Sequence, residues 1–227
     1  EPRRQDFTVD AGLVLSAIAR HSPTVVVITT PNNPTGTCTS LEVIDAVCSA
    51  TNAVVVVDEA YQEFSQTPAA LSLLARHPRL VVTRTMSKAF AMAGGRVGYL
   101  AASPAVVDAC RLVRLPYHLS AQTQALALVA LTHQDELLSR VRQLAQECRS
   151  FQDWLRDNGY EVVPSEANFV LFGRFTDRHA VWQGLLDRGV LIRETGPQGF
   201  LRASAGKPEE MAALKEALAK INPEGRH

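Results

Sequence analysis

The 227-residue sequence lacks an excess of either charge: 23 Lys and Arg offset 23 Asp and Glu. Nucleic-acid binders and proteins that hold to anionic membranes carry a basic surplus, so those classes are set aside. Aromatic residues make up only 6%, too few for a base-stacking platform. Cysteine is scarce as well. Cys38, Cys48, Cys110 and Cys148 include no Cys-x-x-Cys pair, and no histidine lies near any of them at ligand spacing. No metal site is expected, and the four thiols read as small buried apolar residues of a protein from a reducing compartment. The six histidines are scattered and read as surface or loop residues; His118, beside Tyr117, is the one to watch. Long apolar runs are missing too. The longest, Ala125 to Leu131, is far below the roughly 18 residues of a membrane-spanning helix. The chain begins Glu1-Pro2-Arg3-Arg4 rather than with Met, and no leader-like apolar run comes after it. The expected location is the cytoplasm.

What is present is a core-forming composition: 46% hydrophobic and 20% charged residues, which excludes extensive disorder. Four apolar runs read as strands, over Val25–Thr29, Ala53–Val57, Leu80–Arg84 and Val97–Ala101. Ser40 caps a helix over Leu41–Ala50. Continuous apolar strands alternating with helical segments predict a mostly parallel sheet covered on both faces, with sites at the carboxyl ends of the strands. From Pro104 the pattern turns helical, to about Arg114 and again over Ala121–Leu131. Leu137, Val141, Leu144, Cys148, Phe151 and Leu155 then recur at steps of three and four, one stripe of a long helix that ends at Asn158-Gly159. Strands come next over Tyr160–Val163, Asn168–Phe172, Val190–Arg193 and Phe200–Ala203, with helices over Arg178–Arg188 and Pro208–Lys220. The expected fold class is α/β: residues 1–133 as part of a large domain and 134–227 as a smaller C-terminal α/β domain.

Four segments carry chemistry. Pro31-Asn32-Asn33-Pro34-Thr35-Gly36 comes directly after the first strand; it is either a plain chain reversal or a loop that presents the Asn33 amide. Asp58-Glu59-Ala60-Tyr61 ends the all-Val strand. A carboxylate there either caps the next helix or needs a cation, and a protonated pyridine nitrogen is one. In Thr85-Met86-Ser87-Lys88, with Gly94-Gly95-Arg96 beyond it, two hydroxyls and a guanidinium suit a phosphate, and a lysine beside them can condense with an aldehyde cofactor. Arg193 and Arg202 each stand at or near a strand end. They are either solvated surface groups or ligands for carboxylate and phosphate. Together these parts suit pyridoxal 5'-phosphate.

The runs Asn-Asn-Pro-Thr-Gly, Asp-Glu-Ala-Tyr-Gln-Glu-Phe, Arg-Thr-Met-Ser-Lys-Ala-Phe and Ala-Gly-Gly-Arg-Val-Gly-Tyr resemble the fold-type-I, class I/II aminotransferases. Within that family they are most similar to the histidinol-phosphate branch, from about Asp6 to about Lys215. The resemblance implies a PLP-dependent transferase-like large domain, pyridoxal 5'-phosphate as cofactor and a homodimer. It implies amino transfer between L-histidinol phosphate and 2-oxoglutarate in histidine biosynthesis. The rivals are an aromatic amino-acid aminotransferase, a phospho-amino-acid decarboxylase and an inactive truncated remnant. By the same resemblance Lys88 is the catalytic lysine, and Asp58 faces the ring nitrogen. Asn33 and Tyr61 donate to the phenolic oxygen, and Thr85, Ser87 and Arg96 hold the phosphate. Arg202 binds the substrate α-carboxylate and Arg193 the substrate phosphate. Family members carry a substantial portion before the position of Asp6 that has no counterpart here, so the sheet is expected to expose an edge and part of one face.

Overall fold

The computed structural model describes residues 3–221. They form two compact units, one from residues 3–31 and 38–140, the other from 32–37 and 141–221. The division falls inside one long helix, α5 (Gln134–Asp157).

The first unit is built on four strands, β1 (Val25–Thr29), β2 (Val54–Asp58), β3 (Leu80–Thr85) and β4 (Gly98–Ala102), in that order across the sheet. Helix α1 (Ala11–His21) precedes β1, and α2 (Leu41–Ala50) connects β1 to β2. The first three strands are parallel, so Thr29, Asp58 and Thr83 lie level near one edge. β4 runs antiparallel to β3. The reversal comes from the connection, a looped return with one 3-10 turn at Ala93–Gly95, where a parallel partner needs a longer crossover. Gly98 permits the return, because a Cβ there would stand 2.6 Å from the Arg84 carbonyl.

One face of this sheet is packed. Ile28, Val55, Val57, Leu80 and Val82 meet Ile44 and Val47 of α2 and Ala70 and Leu73 of a 3-10 turn. β1 is an edge strand with one face uncovered, in line with the expectation of an exposed edge and part of one face: Val25 is 51% and Val27 65% exposed. Alternate residues of a strand face opposite ways, so these two share the uncovered side. Helices α3 (Pro104–Val113) and α4 (Ala121–Thr132) contribute no fully buried residue.

Helix α1 is the element that the sequence pattern leaves out. Its signals are short: Asp10 accepts the Leu13 amide at 2.9 Å as N-cap, and Val14 and Ile18, one turn apart, pack on the core. Of the cysteines only Cys148 is buried. Cys38, Cys48 and Cys110 are half-buried, a correction to the expectation of four core thiols, and all are free. Burial pushes the Cys148 thiol up to about 12 and the Cys48 thiol up to about 11.

The second unit has an antiparallel sheet, β5 (Glu161–Val163), β6 (Phe169–Gly173) and β7 (Phe200–Ser204), with β6 central. Its helices are the later part of α5, α6 (Arg178–Leu186) and α7 (Pro208–Lys220). All five residues of β6 are buried. Phe172 sits edge-on to Phe151, Tyr160 and Phe175, with ring centroids 6.0, 6.1 and 5.9 Å away. Edge-to-face pairs at this spacing add stability beyond area burial. The long helix ends as expected: Gly159 takes φ 79°, and the Tyr160 amide returns to the Leu155 carbonyl at 3.0 Å.

The expected strand over Val190–Arg193 does not form. The Val190 amide bonds the Leu185 carbonyl at the end of α6, which takes the segment's start out of any ladder. Arg193 alone pairs with β7, through a single bridge to Arg202.

Candidate active site

In the first unit the parallel strands bring their carboxyl ends to one edge, and the loops that leave that edge hold the candidate groups. Asp58 is the last residue of β2. One of its oxygens accepts the Ala60 amide at 3.1 Å. Among the described residues no cation pairs with it.

The next residue does the opposite. The register that sets Asp58 beside Thr83 carries Glu59 alongside Arg84. The fully buried Glu59 carboxylate receives Arg84 Nε at 3.0 Å and Nη2 at 2.8 Å, and its other oxygen takes the Ala70 amide at 2.6 Å. Glu63 stands 3.5 Å from Arg84 Nη1. Burial raises the Glu63 carboxyl above its ordinary range, although the nearby Arg84 opposes the shift. Burial works against the Arg84 charge, but the Glu59 hydrogen bond and the two carboxylates outweigh it and hold the guanidinium higher still. This buried pair escapes the sequence pattern. Its signal is two consecutive acids at the end of a buried strand: only one can face outward, and the other must meet a cation.

Lys88 projects from a loop that bonds to itself. The Met92 amide bonds the Met86 carbonyl at 3.0 Å, and the Ala91 amide bonds the Lys88 carbonyl at 3.1 Å. Met86, Ala89 and Met92 are buried and anchor the loop, while Lys88 is exposed. Its Nζ stands 5.6 Å from the centroid of the buried Tyr61 ring. Thr85 Oγ1 accepts the Ser87 amide at 3.1 Å, which sets both hydroxyl residues on the same turn. Arg96 has a left-handed backbone, φ 49°, and its guanidinium donates to the Ala93 carbonyl at 3.0 Å. It touches neither Thr85 nor Ser87 by hydrogen bond. Among the described residues no carboxylate pairs with Lys88 or Arg96.

The second unit holds the other three candidates. The loop around Asn33 is stitched by its own groups: Asn32 Nδ2 to Thr35 Oγ1 at 2.8 Å, and the Asn32 amide to the Thr37 carbonyl at 2.8 Å. Its Pro31 and Pro34 bonds are cis. Gly36, at φ 79°, lies where a Cβ would run into the Ser165 hydroxyl, and its carbonyl accepts the Glu166 amide at 3.0 Å. Arg202 Nη1 donates to Asn33 Oδ1. A guanidinium only donates, so the facing amide atom must be the oxygen, and the Asn33 NH₂ is directed away from Arg202. The Arg202 guanidinium also lies 4.7 Å over the Phe169 ring. Arg193 and Arg202 exchange backbone hydrogen bonds of 3.0 and 2.9 Å. Both line a cavity of about 790 Å³ with Trp182, Glu194 and Thr195.

A loop lysine, a carboxylate with no cation partner, a hydroxyl turn and two arginines on one cavity can be compared with known proteins. Residues 2–218 match the family model described as aminotransferase class I and II. The chain belongs to that family. It is 61% identical over 219 residues to the histidinol-phosphate aminotransferase of Thermobifida fusca, covering 96% of this chain. It is 55% identical over 222 residues to histidinol-phosphate aminotransferase 3 of Burkholderia lata, covering 97%. The chain spans about 60% of the length of these aminotransferase relatives. A solved histidinol-phosphate aminotransferase from Sinorhizobium meliloti, in complex with pyridoxal-5'-phosphate, matches with a TM-score of 0.85 at 28% identity. That match covers 97% of this chain and 63% of the other. Among the described residues, no helix of this chain is long and apolar enough to cross a membrane.

Proposed function

We propose that this chain supplies the lysine-bearing and substrate-binding parts of a pyridoxal 5'-phosphate-dependent transaminase acting on L-histidinol phosphate and 2-oxoglutarate. The observation that carries the reading is Lys88, exposed on a self-bonded loop beside Tyr61, in a chain 61% identical to an enzyme of that name. The donor set fits the cofactor. Among the described residues Asp58 has no cation partner, and Lys88 and Arg96 have no carboxylate partner.

When bound, pyridoxal 5'-phosphate supplies an aldehyde that takes up the amino group and a cationic ring that withdraws electrons. Lys88 would hold the cofactor through its side-chain amine, and once the substrate amine has displaced it there, the freed Lys88 amine could move a proton to and from the substrate Cα. Asp58 keeps a proton on the ring nitrogen by its charge. Thr85 and Ser87 offer hydroxyl donors to the phosphate, and Arg96 adds the guanidinium. Tyr61 donates to the phenolic oxygen, and in the second unit Asn33 carries the same assignment. Arg202 binds the α-carboxylate and Arg193 the substrate phosphate. In this reading the cofactor-binding residues other than Asn33 belong to the first unit, and Asn33, Arg193 and Arg202 to the second.

The reading extends to a homodimer in the cytoplasm. An exposed apolar set in the first unit, Leu112, Val113, Leu115 and Tyr117 at 76–100% exposure, supports a covered face there. The functional reading is tested by amino transfer from L-histidinol phosphate and from unphosphorylated aromatic donors. Arg193→Ala is expected to lose the phosphorylated donor selectively. Equal loss on both donors contradicts the assignment.

A further inference from the structure

Arg193 is followed in the chain by a carboxylate, Glu194, which lines the same cavity, yet the two do not pair. Among the described residues the Arg193 side chain makes no ion pair. Both Glu194 oxygens are instead taken from α6: Oε1 by Arg178 Nε at 3.3 Å and Oε2 by His179 Nδ1 at 2.9 Å. The same helix holds the segment on either side. Trp182 Nε1 donates to the Ile192 carbonyl at 3.0 Å, and Arg178 Nη1 donates to the Gly196 and Pro197 carbonyls at 3.4 and 3.0 Å. The His179 ring stacks on Trp182, 5.5 Å between centroids and 22° between planes. Residues 192, 194, 196 and 197 are therefore tied to α6, while the Arg193 backbone is tied to β7.

Such a clamp does more than fix a loop. A carboxylate adjacent to a ligand-binding guanidinium competes with the ligand for it. We infer that Arg178 and His179 are positioning residues that sequester Glu194, so that the Arg193 guanidinium stays available to an anionic, phosphate-type ligand in the cavity it lines. The inference rests on the reading of Arg193 as a phosphate-binding residue. It adds the group that competes for Arg193 and the two that prevent the competition.

The test titrates every variant with inorganic phosphate by calorimetry and, wherever Arg193 is present, also tracks its Nε–H resonance; both readouts are independent of turnover. Wild type is expected to shift on titration, and Arg193→Ala to weaken phosphate binding on the order of tenfold, the usual loss of a charge-assisted hydrogen bond. The double variant Arg178→Gln/His179→Gln releases Glu194 and is expected to weaken binding about threefold, as exposed ion pairs allow. His179→Gln alone does so to a lesser degree and leaves the Arg178 carbonyl contacts in place. Adding Glu194→Gln to the double variant removes the competitor and restores wild-type binding. A clamp with a merely structural role would not be rescued by that third change. Wild-type binding in the double variant, or no rescue by Glu194→Gln, overturns the inference while the Arg193 reading stands. Unchanged phosphate binding in Arg193→Ala overturns the reading itself, and the inference with it.

Discussion

The two units use their strands differently. In the second, β6 is buried at every position and Phe172 stands at the centre of an aromatic cluster. In the first, β2 alternates buried and half-buried valines, and β1 leaves Val25 and Val27 largely bare. The second unit is thus held from within its core. The first is held chiefly on one face of its sheet, with Val81 buried on the other, and, at the strand ends, by the Arg84–Glu59 pair. The difference teaches where stability and chemistry reside: the catalytic candidates Asp58 and Lys88 stand at the open rim, one residue and four residues from members of the buried pair.

Substitutions sharpen that contrast. Phe172→Ala should remove about 3–5 kcal/mol from the second unit, the usual cost of emptying a core aromatic site. Val27→Thr, on the bare side of β1, should shift stability by less than about 0.5 kcal/mol. Similar losses for the two, by denaturant unfolding, would mean that the first unit is as closed as the second. Next in size is Glu59→Gln, which takes the fully buried carboxylate from Arg84 and leaves only the longer 3.5 Å contact to Glu63, and should cost about 2–3 kcal/mol. A loss confined to the surface range would show that the strand ends are held by something else. Gly36→Ala comes after it, at about 1–3 kcal/mol, because the added methyl meets the Ser165 hydroxyl on a left-handed backbone. Its readout is a lowered melting temperature.

The smallest effect is a pH window. Glu194, by accepting the His179 hydrogen bond, raises the histidine above its ordinary 6.5. The same bond lowers Glu194 below its ordinary 4.5. The histidine's contribution is full below 6.5 and fades as pH rises through the raised value. The glutamate's is full above 4.5 and fades as pH falls through the lowered one. The melting temperature of wild type minus that of His179→Gln should therefore be greatest between these two ordinary values and decline on both sides. A flat difference would break the link between α6 and the Arg193 segment.

Much of this was legible in the sequence, and the exceptions share a cause. The β-branched runs, the Ser40 cap and the Asn158-Gly159 stop are local signals, and they marked β1 to β3, α2 and the end of α5. The motif around Lys88 was legible because its residue types have a joint chemical meaning. What escaped depends on partners distant in the chain. The direction of β4 depends on how the return from β3 is built. Val190–Arg193 has strand composition, but its first amide is spent on the end of α6. Asp58 and Glu59 look interchangeable until the register sets Glu59 beside Arg84. The Asn33 loop comes directly after β1 in the chain yet bonds to Glu166 and Arg202, which no local pattern reveals.

The central claim is that Lys88 carries the cofactor. Borohydride reduction in the presence of pyridoxal 5'-phosphate, with peptide mapping of the product, tests it directly. The account predicts one reduced adduct, on the peptide containing Lys88, and none in Lys88→Ala. An adduct on Lys207, Lys215 or Lys220 in its place, or an undiminished adduct in Lys88→Ala, would contradict it.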